Sequence, residues 1–239
     1  MGLMANRQSI VGAGGVGLLL AALVAAAHAA DVIESRFVAT ELEMTADPAR
    51  AEWREVSPAL IERDMWGKPL AGRPTEVRSR WSRTHLYLLY ACPYDALNLK
   101  PDPDPSAKTP RLWNWDVAEA FIGSPSEPIA RYKEFQVSPQ GEWVDLAIDR
   151  DNPQGQLGMK WSSGFAVSAR IDPDTKTWYG LMRIPFEALD ARSPAEGQEL
   201  RIGLYRIGGT EPARTYYAWR PTGQATFHVP QAFGTLRLQ

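Results

Sequence analysis

The sequence predicts an all-β domain, a jelly-roll-like sandwich of two antiparallel sheets, preceded by a signal peptide. Three observations predict the sheets. Short runs along most of the chain alternate apolar and polar side chains with a period of two. Pro, Gly, Asp and Asn punctuate the intervals between these runs. No long stretch carries helical periodicity. The 239 residues are 44% hydrophobic and include nine Trp, ample for a packed core.

In chain order, residues 1–30 read as the signal peptide. Arg7 is the only charge before Asp31, Ile10–Ala27 is apolar, and Ala27-His28-Ala29 matches a small-x-small exit. Cleavage there leaves one domain, residues 31–239, in the periplasm or outside the cell. An uncleaved anchor is the alternative reading of the same run. No later stretch is long and apolar enough to span a bilayer, so cleavage leaves no stable membrane insertion.

The expected strands are Val32–Thr40, Glu76–Trp81, His85–Cys92, Asp116–Ile122, Arg131–Val137, Trp143–Asp149, Phe165–Ile171, Thr177–Ile184, Leu200–Ile207, Thr215–Trp219 and Gly234–Leu238. The alternation is clearest where Val144, Leu146 and Ile148 oppose Trp143, Asp145 and Asp149. Phe186–Asp190, following Pro185, reads as one helical turn. Lys100–Pro110 reads as a Pro-rich exposed loop.

Charge and cysteine content exclude several functions. A net charge of −2 provides no basic field for nucleic acid or anionic lipid. Cys92 is the single cysteine, so no intrachain disulfide, c-type haem attachment or Cys-based zinc site can form. Its place at the end of the apolar run Leu86–Tyr90 predicts burial.

Two aromatic clusters carry the candidate functional residues. In Trp113-Asn114-Trp115-Asp116-Val117-Ala118-Glu119-Ala120-Phe121, an extended backbone would put Trp113, Trp115, Val117, Glu119 and Phe121 on one face. A carboxylate among aromatic residues needs a partner: an Arg, a metal, or a ligand's hydroxyls. Trp113, at the mouth of the Pro-rich loop, is a candidate stacking platform for the C–H face of a sugar ring, and otherwise covers one end of the core. The second cluster is Arg214-Thr215-Tyr216-Tyr217-Ala218-Trp219-Arg220-Pro221, in which Tyr216 and Trp219 are aromatic candidates and Pro221 stops the ladder. His228 reads as a packed, hydrogen-bonded structural side chain.

Together with Tyr132–Asp145, Ile184–Leu189 and Phe227-His228-Val229-Pro230…Phe233-Gly234, these segments resemble carbohydrate-binding module family 9 and its relatives in the DOMON-like superfamily. The resemblance runs from about Asp47 to the end of the chain. It implies a two-sheet β-sandwich that binds oligosaccharide or polysaccharide between two Trp rings, which match Trp113 and Trp219, with a hydroxyl-binding Glu that matches Glu119. It also implies structural calcium and a secreted glycosidase as partner in polysaccharide breakdown. The chain departs from the pattern at Glu134, where a basic or amide sugar contact is expected. For calcium, Asp149 and Asp151 in Asp149-Arg150-Asp151-Asn152 are the candidate ligands; the run lacks the EF-hand spacing and reads also as a solvated acidic turn.

Three other readings stand beside this one. A haem-binding redox module of the same superfamily would draw its axial ligands from His85, His228, Met44, Met65, Met159 and Met182. A glycosidase would need paired carboxylates, but Asp116 and Glu119 fall on opposite faces of a strand. An adhesion or structural protein would use its Trp residues as core alone.

Overall fold

Alternation becomes strand wherever the sequence shows it. The computed structural model describes residues 1–2, 31–153 and 156–239. The expected signal peptide therefore lies outside the described residues, apart from its first two. The chain divides into a unit Met1–Val32 and a unit Ile33–Gln239, and the second carries the strands that matter below.

Among the described residues thirteen strands form: β1 (Val32–Phe37), β2 (Ala59–Ile61), β3 (Arg63–Asp64), β4 (Thr75–Trp81), β5 (His85–Pro93), β6 (Val117–Gly123), β7 (Arg131–Val137), β8 (Trp143–Asp149), β9 (Ala166–Asp172), β10 (Thr177–Pro185), β11 (Glu199–Gly208), β12 (Thr215–Ala218) and β13 (Gly234–Leu238). Short helices occupy Ala51–Arg54 and Gln156–Lys160, and 3₁₀ turns occupy Leu112–Asn114, Phe186–Ala188 and Pro230–Ala232. The turn after Pro185 is the expected one. No helix among the described residues is long and apolar enough to cross a membrane.

The strands join into one large mixed sheet, nearly closed into a barrel, in the order β8-β7-β6-β11-β13-β1-β4-β5-β10-β9. This corrects the expectation of two separate antiparallel sheets. The reason lies at the chain's two ends. The Phe37 N–H donates to the Gln239 carbonyl and the Gln239 N–H to that of Ser35, each at 2.7 Å, so β1 and the C-terminus bridge what would otherwise be two edges. The pairing of β1 with β4 is parallel, and the bonds between β1 and Gln239 follow the parallel pattern; the ladders among the other strands are antiparallel.

Each strand of the β8-β7-β6-β11 portion has two faces with different duties. Ala118, Ala120 and Ile122 of β6, with Phe135 and Val137 of β7, enter the principal core against Leu88, Tyr90 and Trp178. The opposite face sends Val117 and Phe121, Tyr132, Val144 and Leu146, and Tyr205 and Ile207 into a second cluster, covered by Met65, Leu112, Phe227 and Phe233. Cys92 is fully buried in the principal core, as expected. Burial pushes its thiol up to about 12.

Candidate functional site

The second face is where polar groups break into an apolar surface. Glu119 lies between Val117 and Phe121 on β6, opposite Gln136 on β7 and Tyr205 on β11. Glu134 lies two residues before Gln136 and therefore on the same face, paired with Phe121. Glu119, Glu134 and Gln136 thus form one polar floor, with Glu119 diagonal to Glu134 across the ladder. All three are almost wholly buried, at 2%, 3% and 1% exposed.

A cavity of about 390 Å³ opens over this floor. Its walls include Trp113, Tyr216, Phe227, His228 and Met65. Trp113 sits in the 3₁₀ turn Leu112–Asn114, which is anchored by the fully buried Leu112. Arg214 fixes that turn by donating from Nη2 to the carbonyls of Trp113 at 2.8 Å and Trp115 at 3.1 Å. Trp113 and Tyr216 are 37% and 39% exposed, so both present ring surface to solvent. They also border a neighbouring recess of about 420 Å³ that includes Asn98, Asn114 and Arg214.

Electrostatics follow from burial. Burial raises the Glu119 carboxyl well above the usual range, and the charge of Glu134 adds to the effect against an opposing pull from Arg214. Burial likewise raises Glu134, opposed by the hydrogen bond it accepts from Gln136 Nε2 at 2.5 Å. Glu134 Oε2 and Gln136 Oε1 are buried without a hydrogen-bond partner among the described residues. His228 lies 2.7 Å from the Tyr132 hydroxyl through Nδ1, and its Nε2 stands 3.8 Å from Glu134 Oε2. Burial, helped by Arg150, lowers the imidazole to about 4. It is therefore neutral at pH 7 and brings no charge to the floor.

Four of the six carbohydrate-site candidates, Trp113, Glu119, Glu134 and Tyr216, meet on this cavity. Trp115 and Trp219 do not line it. Trp219 follows β12, where Ala218 enters the second cluster while Tyr217 and Trp219 pack against the principal core. Strand parity thus sends Trp219 to the far face and leaves Tyr216 at the mouth. Trp115 misses because residues 112–114 form a turn, so the extended alternation that grouped it with Trp113 begins only at Val117. Its ring lies under the Lys100 ammonium, 5.9 Å from the centroid. Gln136 escaped the sequence reading, although its spacing from Glu134 puts both on one face. His228 is packed and hydrogen-bonded as expected, and it lines the cavity as well.

The residues proposed for calcium do not fit a metal. Asp149 Oδ2 accepts from Arg131 Nε at 3.0 Å, and Oδ1 accepts the backbone N–H groups of Asp151 and Asn152 at 3.1 Å each. The loop is an Asx-type turn closed by an ion pair. Among the described residues, no three His, Cys, Asp or Glu side chains gather as a ligand set. A carboxylate in a cage of carbonyls does exist at Asp145, but Lys108 supplies its cation. The ammonium lies 2.6 Å from Asp145 Oδ1 and donates to the carbonyls of Asp145, Met159 and Trp161 at 2.9, 3.0 and 2.5 Å.

No family model matches the chain. It is similar to an "Extracellular protein" of Arthroderma benhamiae, 26% identical over 143 residues, which are 54% of this chain and 64% of that one. The chain thus spans less than two thirds of that relative's length. It is also similar to the C4orf33 homologue of Rattus norvegicus, 23% identical over 159 residues, which are 65% of this chain and 71% of that one. Among solved structures, a Bacteroides uniformis protein whose carbohydrate-binding role is itself an inference superposes with a TM-score of 0.67. That alignment is 18% identical and covers 87% of this chain and 99% of the other. A family 9 carbohydrate-binding module of Caldicellulosiruptor kristjanssonii, in complex with cellotriose, gives 0.58 at 13% identity over 87% and 93% of the two chains. The same module with glucose gives 0.59 at 13% identity, over 87% and 95%. The fold is therefore that of family 9 carbohydrate-binding modules.

Proposed function

We propose that this chain is an exported, non-catalytic carbohydrate-binding module, and that the cavity between Trp113 and Tyr216 holds the sugar. One observation carries the reading. Two aromatic rings, each more than a third exposed, flank a floor of buried hydrogen-bonding groups that includes Glu119 and Gln136. A sugar ring has the matching surface, with C–H faces that stack on aromatic rings and hydroxyls that donate to carboxylates and amide oxygens. Tyr216 takes the second wall in place of Trp219. The family 9 module of the same fold in complex with cellotriose supports oligosaccharide as the ligand class. The relative described as extracellular supports export. On this reading the protein serves polysaccharide breakdown by holding substrate for a secreted glycosidase.

Catalysis has weaker support. Glycosidase carboxylates flank the scissile bond, whereas Glu119 and Glu134 lie side by side on one floor and approach a ligand from the same direction. The haem reading finds Met65 and His228 on the cavity, but Nδ1 of His228 already bonds Tyr132 and Nε2 faces Glu134. A screen of the full chain against an array of xylan, cellulose and galactan fragments tests the proposal. Saturable binding to at least one of them supports it; silence across the array, with a Soret band in the same preparation, favours haem.

A further inference from the structure

The polar floor of the proposed sugar cavity, beneath apolar and aromatic walls, consists mainly of hydrogen-bond acceptors. Glu119, Glu134 and Gln136 form this floor, and among the described residues no Lys or Arg side chain lines the cavity. The amide nitrogen of Gln136 is already committed to Glu134 Oε1, which leaves Glu134 Oε2 and Gln136 Oε1 buried and unpartnered. Arg150 acts on His228 without lining the cavity. Arg214 holds the carbonyls of Gly209, Trp113 and Trp115. His228 contributes a neutral ring tied to Tyr132.

A neutral sugar does not suit this floor well. Each hydroxyl brings one donor and no charge, so beneath a neutral sugar burial keeps the floor's carboxyls protonated. An ammonium brings three donors and a full positive charge. Its charge lets the adjacent carboxyls ionise, and its donors reach the two orphaned oxygens at once. The aromatic walls point the same way, because Trp and Tyr faces attract cations.

We infer that the cavity selects sugars bearing a free ammonium group, hexosamine units with an unsubstituted amine, over neutral sugars, and that Glu134 sets this preference. The inference rests on the proposed carbohydrate-binding reading and narrows it to a ligand class. The amine points down to Glu134 and Gln136, while the ring lies between Trp113 and Tyr216. N-acetylation removes the charge and two of the three donors, so the acetylated sugar loses the advantage.

Calorimetric titration of the full chain at pH 7 tests this with three β-1,4-linked tetramers: glucosamine, N-acetylglucosamine and cellotetraose. Cadaverine serves as an amine without a sugar ring. The glucosamine tetramer is expected to bind at least tenfold more tightly than the other two tetramers and than cadaverine. Glu134→Gln is expected to erase that difference. Cellotetraose binding as tightly as the glucosamine tetramer to the native chain overturns the inference and leaves the carbohydrate reading standing. Cadaverine matching the glucosamine tetramer overturns the choice of a sugar. Binding by none of the tetramers overturns the inference, and the carbohydrate reading then stands or falls on the xylan, cellulose and galactan array. A preference that survives Glu134→Gln removes Glu134 from its role.

Discussion

Glu119 and Glu134 occupy diagonal positions on the same face of adjacent antiparallel strands, Glu119 opposite Gln136 and Glu134 two residues back along β7. Both are buried, and each raises the other's cost of ionisation. A floor of this kind weakens the fold and gives a ligand something to relieve. That relationship generates the first prediction.

A carboxyl whose folded pKa is raised contributes stability below its unfolded value and loses it as pH rises. The usual value for Glu134 is 4.5, and burial raises it in the fold. The native chain should therefore lose stability as pH climbs from about 5 to 8. Glu134→Gln should flatten that decline and be roughly 1 kcal/mol or more the stabler at pH 8. Thermal melts of both proteins at the two pH values check it. Parallel declines would show that Glu134 ionises freely.

His228 has the opposite sign. Its folded pKa falls from 6.5 to about 4. Its contribution is present in full above pH 6.5 and disappears as pH falls towards 4. An NMR titration of the imidazole should find it neutral at pH 6, with protonation only near pH 4. A midpoint near 6.5 would contradict its burial against Phe121, whose ring centroid lies 5.0 Å away.

Lys108 and Asp145 make a second buried relationship, in which the carboxylate is fully buried and Ser163 donates to its other oxygen from both N–H and hydroxyl. Lys108→Met leaves that charge without its cation and should cost about 3–5 kcal/mol in chemical denaturation. Pairing it with Asp145→Asn should recover part of the loss. Full additivity of the two substitutions would show that the pair does not interact.

Trp113 and Trp219 should separate function from stability. Trp219→Ala removes packing against the principal core and should destabilise the fold by about 3 kcal/mol. Trp113→Ala, at an exposed turn, should leave the melting temperature nearly unchanged and weaken sugar binding by about tenfold or more. Matched melts and titrations of the two variants check this. Unfolding of the Trp113 variant would make that ring part of the core.

The strands were largely legible because alternation is a local property. Arg131–Val137, Trp143–Asp149 and Gly234–Leu238 match their expected bounds at both ends. Ala59–Ile61 and Arg63–Asp64 escaped because three and two residues are too few to show a period. The site was legible in part, and for the same reason. Residue types pointed to Trp113, Glu119, Glu134 and Tyr216, but parity decides which aromatic residues face the cavity, and parity resets at every turn. The turn at Leu112–Asn114 separated Trp113 from Trp115, and the exit of β12 sent Trp219 to the other face. Closure into one sheet was not legible, because it depends on Gln239 meeting β1 from the opposite end of the chain.

The measurement that bears most directly on the central claim is a calorimetric titration of the full chain with oligosaccharides, run in parallel with Trp113→Ala and Tyr216→Ala. Saturable binding by the native chain, reduced about tenfold or more in each folded variant, is the predicted result. Native binding that both variants retain in full would place the sugar elsewhere on the molecule and contradict the site.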